Sequence, residues 1–529
     1  MGQNQRVGES HVGRIGTALA LLLGVVPALA PAWGCGRGIV FEDLDGNGLR
    51  GAEEPALAGV AVSNGREIVY SDADGRWRLP RRTDAPVFVI KPAGYATGAG
   101  ADGLPRFWHA AQEDECAFGL RPQAAAAGPL QVLVTSDPQA GTPREVDYYA
   151  RVAARAFAPY RSAALGLTLG DVANDDLSLY PGIVRATAAA GVPWLHAPGN
   201  HDLEPQPADD VASLATFRHV FGPDSFAWEE PQAVFVVLDN VVAQPGGRPG
   251  YVGGLRPEQF DFLERYLARL DRDRLLVVAA HIPWFDTAAE GRPATMRAHD
   301  RERLFALLQP FPKVLLLSGH RHTQRMVFHD ATSGWQGAVP LREYNVGAMS
   351  GAFWSGVPAH DGVPDATMAD GTPRGFATLE VDAGGDYRLA WHPTSFPEGD
   401  PALTGAMALH APRLLRRGAY PAWGVYANVF LGHAGTRVEY RVDADEWQPM
   451  QRVQAPDPRL LVENVRDDLA DSLRALDRSP EAEASTHLWR GALPTGLDAG
   501  EHAVEVRAFD DHGAEHRARI VYRLVDAGP

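Results

Sequence analysis

The sequence predicts a central α/β domain carried between two β-sandwich domains. Three observations give that reading. Between Leu130 and about His392, short Val- and Leu-rich runs alternate with segments of helical spacing such as Val146, Tyr149, Ala153 and Phe157, the pattern of buried parallel strands and crossover helices. From Gly38 to about Val89, GIVF, AGVAVS, REIVY, GRWRL and PVFVIK are separated by DLDGNG, NG and DADG turns, as in hairpins and small sandwiches. From about Pro401 onward, GVYANVFL, TRVEYRVD, HAVEVRAFD and ARIVYRLV read as a second, immunoglobulin-like sandwich.

Taken in order, residues 1–32 read as a signal peptide. Arg6 and Arg14 precede an apolar run from Ile15 to Ala30, a length that suits a leader and is short for a membrane span. Small residues at Ala28-Leu29-Ala30 and Ala30-Pro31-Ala32 offer two cleavage points, of which the second avoids Pro31 just after the cut. The competing reading is a buried apolar strand or helix. No later stretch is apolar for long enough to span a bilayer, so the mature chain is expected to be soluble and exported, periplasmic or extracellular.

Residues 33–122 form the expected N-terminal β domain. It holds both cysteines, Cys35 and Cys116, and export makes their pairing permissible. Lipidation of Cys35 is the alternative, which Trp33 fits poorly. Asp43-Leu44-Asp45-Gly46-Asn47-Gly48 followed by Glu54 fits a calcium loop, with side-chain oxygens from Asp43, Asp45, Asn47 and Glu54 and a carbonyl from Leu49. An Asx/Gly-rich turn without metal is the other reading. An Ala/Gly/Pro-rich stretch from Arg121 to Pro129 reads as a linker. The α/β domain is expected over 130–395 and the C-terminal β domain over 400–529, with a helical or irregular insertion from Arg459 to Ala484.

The 529 residues exceed one compact core. A formal charge of −17 argues against broad binding to nucleic-acid duplexes or anionic lipid. It leaves room for a phosphorylated substrate, because bound cations invert the local field.

The chemistry is read at the ends of five central strands. VLVT precedes Ser136-Asp137-Pro138-Gln139, and LGLTL precedes Gly170-Asp171. PWLHA precedes Pro198-Gly199-Asn200-His201-Asp202, LLVVAA precedes His281, and KVLLLS precedes Gly319-His320-Arg321-His322. Ligands of open α/β sheets gather at such carboxyl edges. Oxygen and imidazole donors delivered there can close around two cations, an arrangement suited to hydrolysis. Asp171 is the best bridging carboxylate; Gly170 lets the chain turn and leaves room. Asp137 and Gln139 can point into one site, Asn200 offers an amide oxygen, and His320 and His322 would share a side if the segment is extended.

In this order, D-x-[HQ], GDxxxD, GNHD, a lone His and GHxH resemble the signature of the calcineurin-like metallophosphoesterases. The resemblance implies two β-sheets packed as a sandwich and flanked by helices in four layers, not a doubly wound sheet. It implies that Asp137 and His322 bind one metal, with Gln139 beside them, that Asp171 bridges, and that Asn200, His281 and His320 bind the second. His201 would act as general acid, with Asp202 orienting its ring. Gln139 stands where most members carry His; its harder carbonyl favours Mn²⁺ or Mg²⁺ over Zn²⁺, with Fe also admissible in such sites. FGPDSFAW, Leu238-Asp239-Asn240, GAMSGAFWSG, DGTPRG and STHLW are similar to a bacterial three-part subgroup, with a transthyretin-like or carboxypeptidase-regulatory-like domain in front and a small β domain behind. The N-terminal loop also resembles calcium-binding B-type repeats of bacterial surface proteins.

The implied activity is hydrolysis of phosphate mono- or diesters, on a small-molecule or polymer substrate, by hydroxide shared between two divalent cations. The alternative is a binding protein for a surface polymer or glycan with a degenerate core. Asp175 and Asp176 are read either as ligand-orienting or as a solvated loop, and Trp354 as a packed aromatic rather than a cleft residue. His196 is read as a hydrogen-bonded core residue, and His299 and His329 as surface residues.

Overall fold

The computed structural model describes residues 35–82, 85–109, 115–124, 128–247, 250–288, 292–397 and 399–526. The expected signal peptide and both cleavage points lie outside them.

The Val- and Leu-rich runs are strands because both of their faces are covered. Leu130–Thr135, Leu165–Leu169 and Trp194–Ala197 pair in parallel, and Gly375–Val381 and Tyr387–Pro393 add antiparallel on the other side. The second sheet runs Phe226–Glu229, Ala233–Val237, Leu275–Ala279, Val314–Ser318, Leu341–Asn345, Arg325–His329; its four middle strands are parallel and its two outer ones antiparallel. One apolar cluster fills the space between the sheets, with Val132, Val134 and Leu167 meeting Phe235, Val277 and Leu315. Helices Pro143–Ala156 and Tyr180–Ala188 cover the outer face of the first sheet through Tyr149, Val152 and Ile183 against Leu133 and Trp194. Pro257–Leu267 and Ala298–Leu308 belong to the main cluster through Phe260, Leu263, Leu304 and Phe305, on the second sheet. The result is helix, sheet, sheet, helix.

The N-terminal domain also packs two sheets. Arg37–Glu42 pairs in parallel with Cys116–Pro122, and a disulfide joins Cys35 to Cys116 just beside that pairing. The domain docks through Lys91, whose Nζ is buried and donates to Glu229 O at 2.6 Å and to Glu230 Oε1 at 2.7 Å. In the C-terminal domain, sheets built on Gly424–Val429 with Ala484–Ala492 and on Gly500–Phe509 with Glu515–Val525 enclose a separate apolar core. Helix Pro458–Asp468 and the irregular chain after it interrupt that sandwich between Gln451–Pro456 and Ala484–Ala492. Among the described residues, no helix is long and apolar enough to cross a membrane.

Two contacts carry this frame to the central site. Buried Asn240 accepts from Ile282 N at 2.9 Å and donates to Ile282 O at 2.6 Å, fixing the backbone just after His281. Buried His487 of the C-terminal domain meets Asp370 Oδ2 at 3.0 Å, and the same oxygen accepts from Gln324 N at 2.7 Å, at the end of the His320–His322 loop.

Candidate metal centre

The seven expected ligands lie at the carboxyl ends of the parallel strands, where loops converge, and are linked by short contacts. Asp171 stands in the middle. Its Oδ2 lies 3.2 Å from His281 Nε2 and 3.4 Å from Gln139 Nε2, while its Oδ1 accepts from His201 N at 2.8 Å. On one side, His322 Nε2 approaches Asp137 Oδ1 at 3.4 Å. On the other, His281 Nε2 lies 3.1 Å from Asn200 Oδ1 and 3.2 Å from His320 Nδ1. One donor atom from each of Asp171, His281 and His320 falls within 4.8 Å of the others.

The rings are aimed from behind. His281 Nδ1 donates to Leu169 O at 2.8 Å and His322 Nδ1 donates to Gly351 O at 2.5 Å, so each presents Nε2 to the cleft. Aromatic groups flank them: Phe353 stacks on His322 at 4.3 Å, and Tyr251 meets His320 edge-on at 6.1 Å.

Backbone strain concentrates here. Ten described non-glycine residues have positive φ, and five are expected ligands: Asp137, Gln139, Asp171, His320 and His322. Each such residue costs about 1–2 kcal/mol in this conformation, which persists where surrounding bonds over-determine it. The GHxH segment is therefore a left-handed turn, not the extended segment expected. Its two imidazoles still serve opposite sides of Asp171. Gly170 has φ +92°, and a Cβ there would sit 2.6 Å from His281 Nδ1; at Gly199 it would sit 2.1 Å from Asp171 Oδ1. These two glycines let the ligand loops touch.

The residues fit a pair of divalent cations. Asp137 Oδ1 and Gln139 Oε1 are buried and carry no hydrogen bond, an arrangement that costs free energy unless something electropositive faces them. Burial pushes the His281 pKa down, but Asp171 and Asp137 outweigh it and lift the ring to about 9. Burial and the charge on His281 push His320 down to about 4.

One expected role is corrected. Asp202 does not orient His201. It lies in the one-turn helix Asn200–Asp202 and accepts from Val172 N at 3.0 Å, Ala173 N at 3.1 Å, Gly199 N at 2.9 Å and Tyr180 Oη at 2.9 Å. These bonds tie the Asp171 loop to the Asn200 loop. Burial, then the charge on Asp171, lifts Asp202 to about 6. The ring of His201 instead meets Asp175, Nδ1 to Oδ1 at 2.9 Å.

Of the further residues, His329 falls differently from expectation. His329 is buried rather than at the surface: its Nε2 bonds Glu343 Oε2 at 2.6 Å, and Glu343 Oε1 accepts from Ser318 Oγ and Trp284 N behind the ligand loops. The alternation of the edge strand Arg325–His329 gave no sign of this. Trp354 is packed and donates to Pro138 O at 3.1 Å. His196 is buried with its ring 4.4 Å from Phe221, and His299 is exposed. Asn240, Glu343, Tyr180 and Phe353 were not singled out by the sequence as site residues. Asn240 and Phe353 had a signal, their places in the Leu238-Asp239-Asn240 and GAMSGAFWSG segments.

Residues 130–324 match the family described as calcineurin-like phosphoesterase; residues 45–123 and 343–516 match those described as the N terminal and C terminal of calcineurin-like phosphoesterase. The chain belongs to the calcineurin-like phosphoesterases. In this phosphoesterase the C-terminal match begins within the second sheet and includes strands 375–381 and 387–393, which hydrogen bonding assigns to the first sheet. The phosphoesterase is 27% identical over 154 residues to purple acid phosphatase 21 of Arabidopsis thaliana, covering 27% of this chain and 33% of that one. The chain thus spans about a third of this relative's length. Among solved structures it is similar to purple acid phosphatase PPD1 of yellow lupin, at 13% identity over 62% of this chain and 57% of that one, with a TM-score of 0.39. It is also similar to the phosphopantetheinyl hydrolase of Mycobacterium tuberculosis, at 14% identity over 42% and 91%, with a TM-score of 0.27.

Proposed function

We propose that the chain is an exported phosphoesterase that cleaves phosphate mono- or diesters at the cleft around Asp171, with His201 as general acid. The observation that supports this most is the convergence on Asp171 of His281 and Gln139, with Asn200 and His320 against His281 and with Asp137 paired to His322. Those groups would hold two divalent cations, which supply charge neutralisation at phosphoryl oxygens and acidify water for attack at neutral pH. Gln139 favours Mn²⁺ or Mg²⁺ over Zn²⁺.

The protein's own part is positioning and proton transfer. His201 is partly exposed, and its backbone N–H is tied to Asp171, so the acid is registered on the central carboxylate. Its Nδ1 faces Asp175, which leaves Nε2 to protonate the departing oxygen. Phe353, exposed and stacked on His322, and Tyr251 beside His320 give the cleft aromatic edges for the organic part of an ester.

Turnover of p-nitrophenyl phosphate and bis(p-nitrophenyl) phosphate with added Mn²⁺, Mg²⁺, Zn²⁺ or Fe²⁺ tests this reading and separates mono- from diesterase action. No turnover of either ester with any of these ions removes it. Export is tested separately, by sequencing the N-terminus of protein recovered outside the cytoplasm.

A further inference from the structure

A second group of oxygens converges far from the phosphoesterase centre in sequence. Strand Arg37–Glu42 runs into Asp43, and the twelve residues from Asp43 to Glu54 close a loop on it. One oxygen from each of Asp43, Asp45 and Glu54 lies within 4.8 Å of the others. Backbone donors wrap the loop around these carboxylates. Gly48 N donates to Asp43 Oδ2 at 3.1 Å, Leu44 N to Glu54 Oε1 at 2.8 Å and Gly51 N to Glu54 Oε2 at 2.8 Å. Asn47 donates to both oxygens of Asp45.

These bonds leave one oxygen out. Asp43 is 1% exposed, yet its Oδ1 carries no hydrogen bond. The residue is held against the neighbouring strand Cys116–Pro122: its N–H donates to Leu120 O at 3.0 Å, and a Cβ at Gly119 would sit 2.8 Å from its own Cβ. A buried carboxylate oxygen without a donor is unfavourable, and two more carboxylates beside it add repulsion. A cation answers both.

We propose that this loop binds one Ca²⁺. Asp43, Asp45, Asn47 and Glu54 occupy positions 1, 3, 5 and 12 of the loop, the carbonyl of Leu49 position 7, and Gly48, at φ +74°, the sharp turn at position 6. The donors are all oxygen, with neither imidazole nor thiolate, which selects a hard cation. Six or more oxygens on a long loop suit Ca²⁺ better than the tight octahedron of Mg²⁺. Asp45, Asn47 and Leu49 are exposed, so the loop pays some ordering on binding; a Kd of about 10⁻⁵–10⁻³ M is expected, towards the weak end of such loops. Its base is bonded to the strand that leads into the central domain, so the ion fastens the end of the Arg37–Glu42 and Cys116–Pro122 pair.

The test uses the full chain, stripped with chelator and then saturated with Mn²⁺ so that the central site is filled. Calorimetric titration with Ca²⁺ should show one further ion per chain, with Mg²⁺ at least about tenfold weaker. At ten times its Kd, Ca²⁺ should shift the folded-to-unfolded ratio about tenfold, read as a higher melting temperature. Asp43→Asn and Glu54→Gln should each weaken Ca²⁺ binding at least about tenfold. Because both side chains also hold the loop, Asp45→Asn at an exposed position is the second variant; it should weaken binding several-fold with an unchanged circular dichroism spectrum. The proposal is overturned by no Ca²⁺ uptake after Mn²⁺ saturation, by wild-type affinity in the Asp43→Asn and Asp45→Asn proteins, or by uptake that Asp171→Asn abolishes.

Discussion

His201 and Asp175 are bonded through Nδ1 and Oδ1 at 2.9 Å, across a gap of 26 residues that the fold closes at the cleft mouth. The carboxylate fixes which ring nitrogen points away from it, and so which one can protonate a leaving oxygen. His201→Ala is predicted to keep its metal and to lose about 10²–10⁴-fold in rate on an alkyl phosphate. The loss should be much smaller on p-nitrophenyl phosphate, whose leaving group needs little protonation. Asp175 is exposed, so water screens its charge; Asp175→Asn is predicted to cost only about 2–10-fold on the alkyl ester. Equal losses on both esters in the His201→Ala protein would remove the acid role.

His281 sets a pH dependence for metal uptake. In the folded metal-free chain its ring stays protonated up to about pH 9, against an ordinary value of 6.5, because Asp171 and Asp137 outweigh burial. Folded pKa lies above unfolded pKa, so this ion pair stabilises the metal-free fold fully below about pH 6.5, and the contribution fades as pH rises through 9. A cation must displace the same proton. Apparent metal affinity should therefore rise about tenfold per pH unit between 6.5 and 8.5 and flatten above about 9. Calorimetry in buffers of different ionisation enthalpy should count more than one proton released per bound pair at pH 7, because, against burial, Asp137 raises the pKa of His322 as well. A flat affinity across that range contradicts the assignment.

Much of this architecture was legible because its causes are local. The five strand-end motifs could be read from residue type and position, since an apolar run buried on both faces needs no partner to be recognised and its end is where a ligand can sit. The Asp175–His201 bond was not legible, because it depends on the one-turn helix Asn200–Asp202 turning Asp202 down onto Val172 and Ala173. Left-handed backbone at Asp137, Gln139 and His322 contradicts what their side chains prefer locally, and only the assembled site holds it. His329 looked like a surface residue because its partner Glu343 lies on another strand.

Gln139 gives a prediction about metal choice. Its Nε2 reaches Asp171 Oδ2 at 3.4 Å while its Oε1 is left buried and unbonded. Gln139→His replaces a hard amide oxygen by an imidazole of borderline softness. Zn²⁺ affinity at this position is predicted to rise at least about tenfold relative to Mn²⁺, measured by competition between the two ions. An unchanged ratio would mean that Gln139 does not face the cation.

Asn240 tests whether the ligand loops are held from behind. It is fully buried and makes both backbone bonds of Ile282, so Asn240→Ala leaves an N–H and a C=O unpaired in the core. Each such group costs about 1–3 kcal/mol, which a denaturant titration will read. The same change releases the backbone that aims His281, and supporting shells of this kind are worth about 10–100-fold in metal affinity. A core polar residue with a purely structural part would lower the melting temperature and leave the affinity of the folded protein alone. Asn240→Asp keeps the acceptor for Ile282 N but cannot donate to Ile282 O unless protonated, so its metal affinity should fall between wild type and Asn240→Ala. If both variants lose stability while binding Mn²⁺ as the wild type does, His281 is aimed by the Nδ1 bond to Leu169 O alone, and Asn240 has no part in the site.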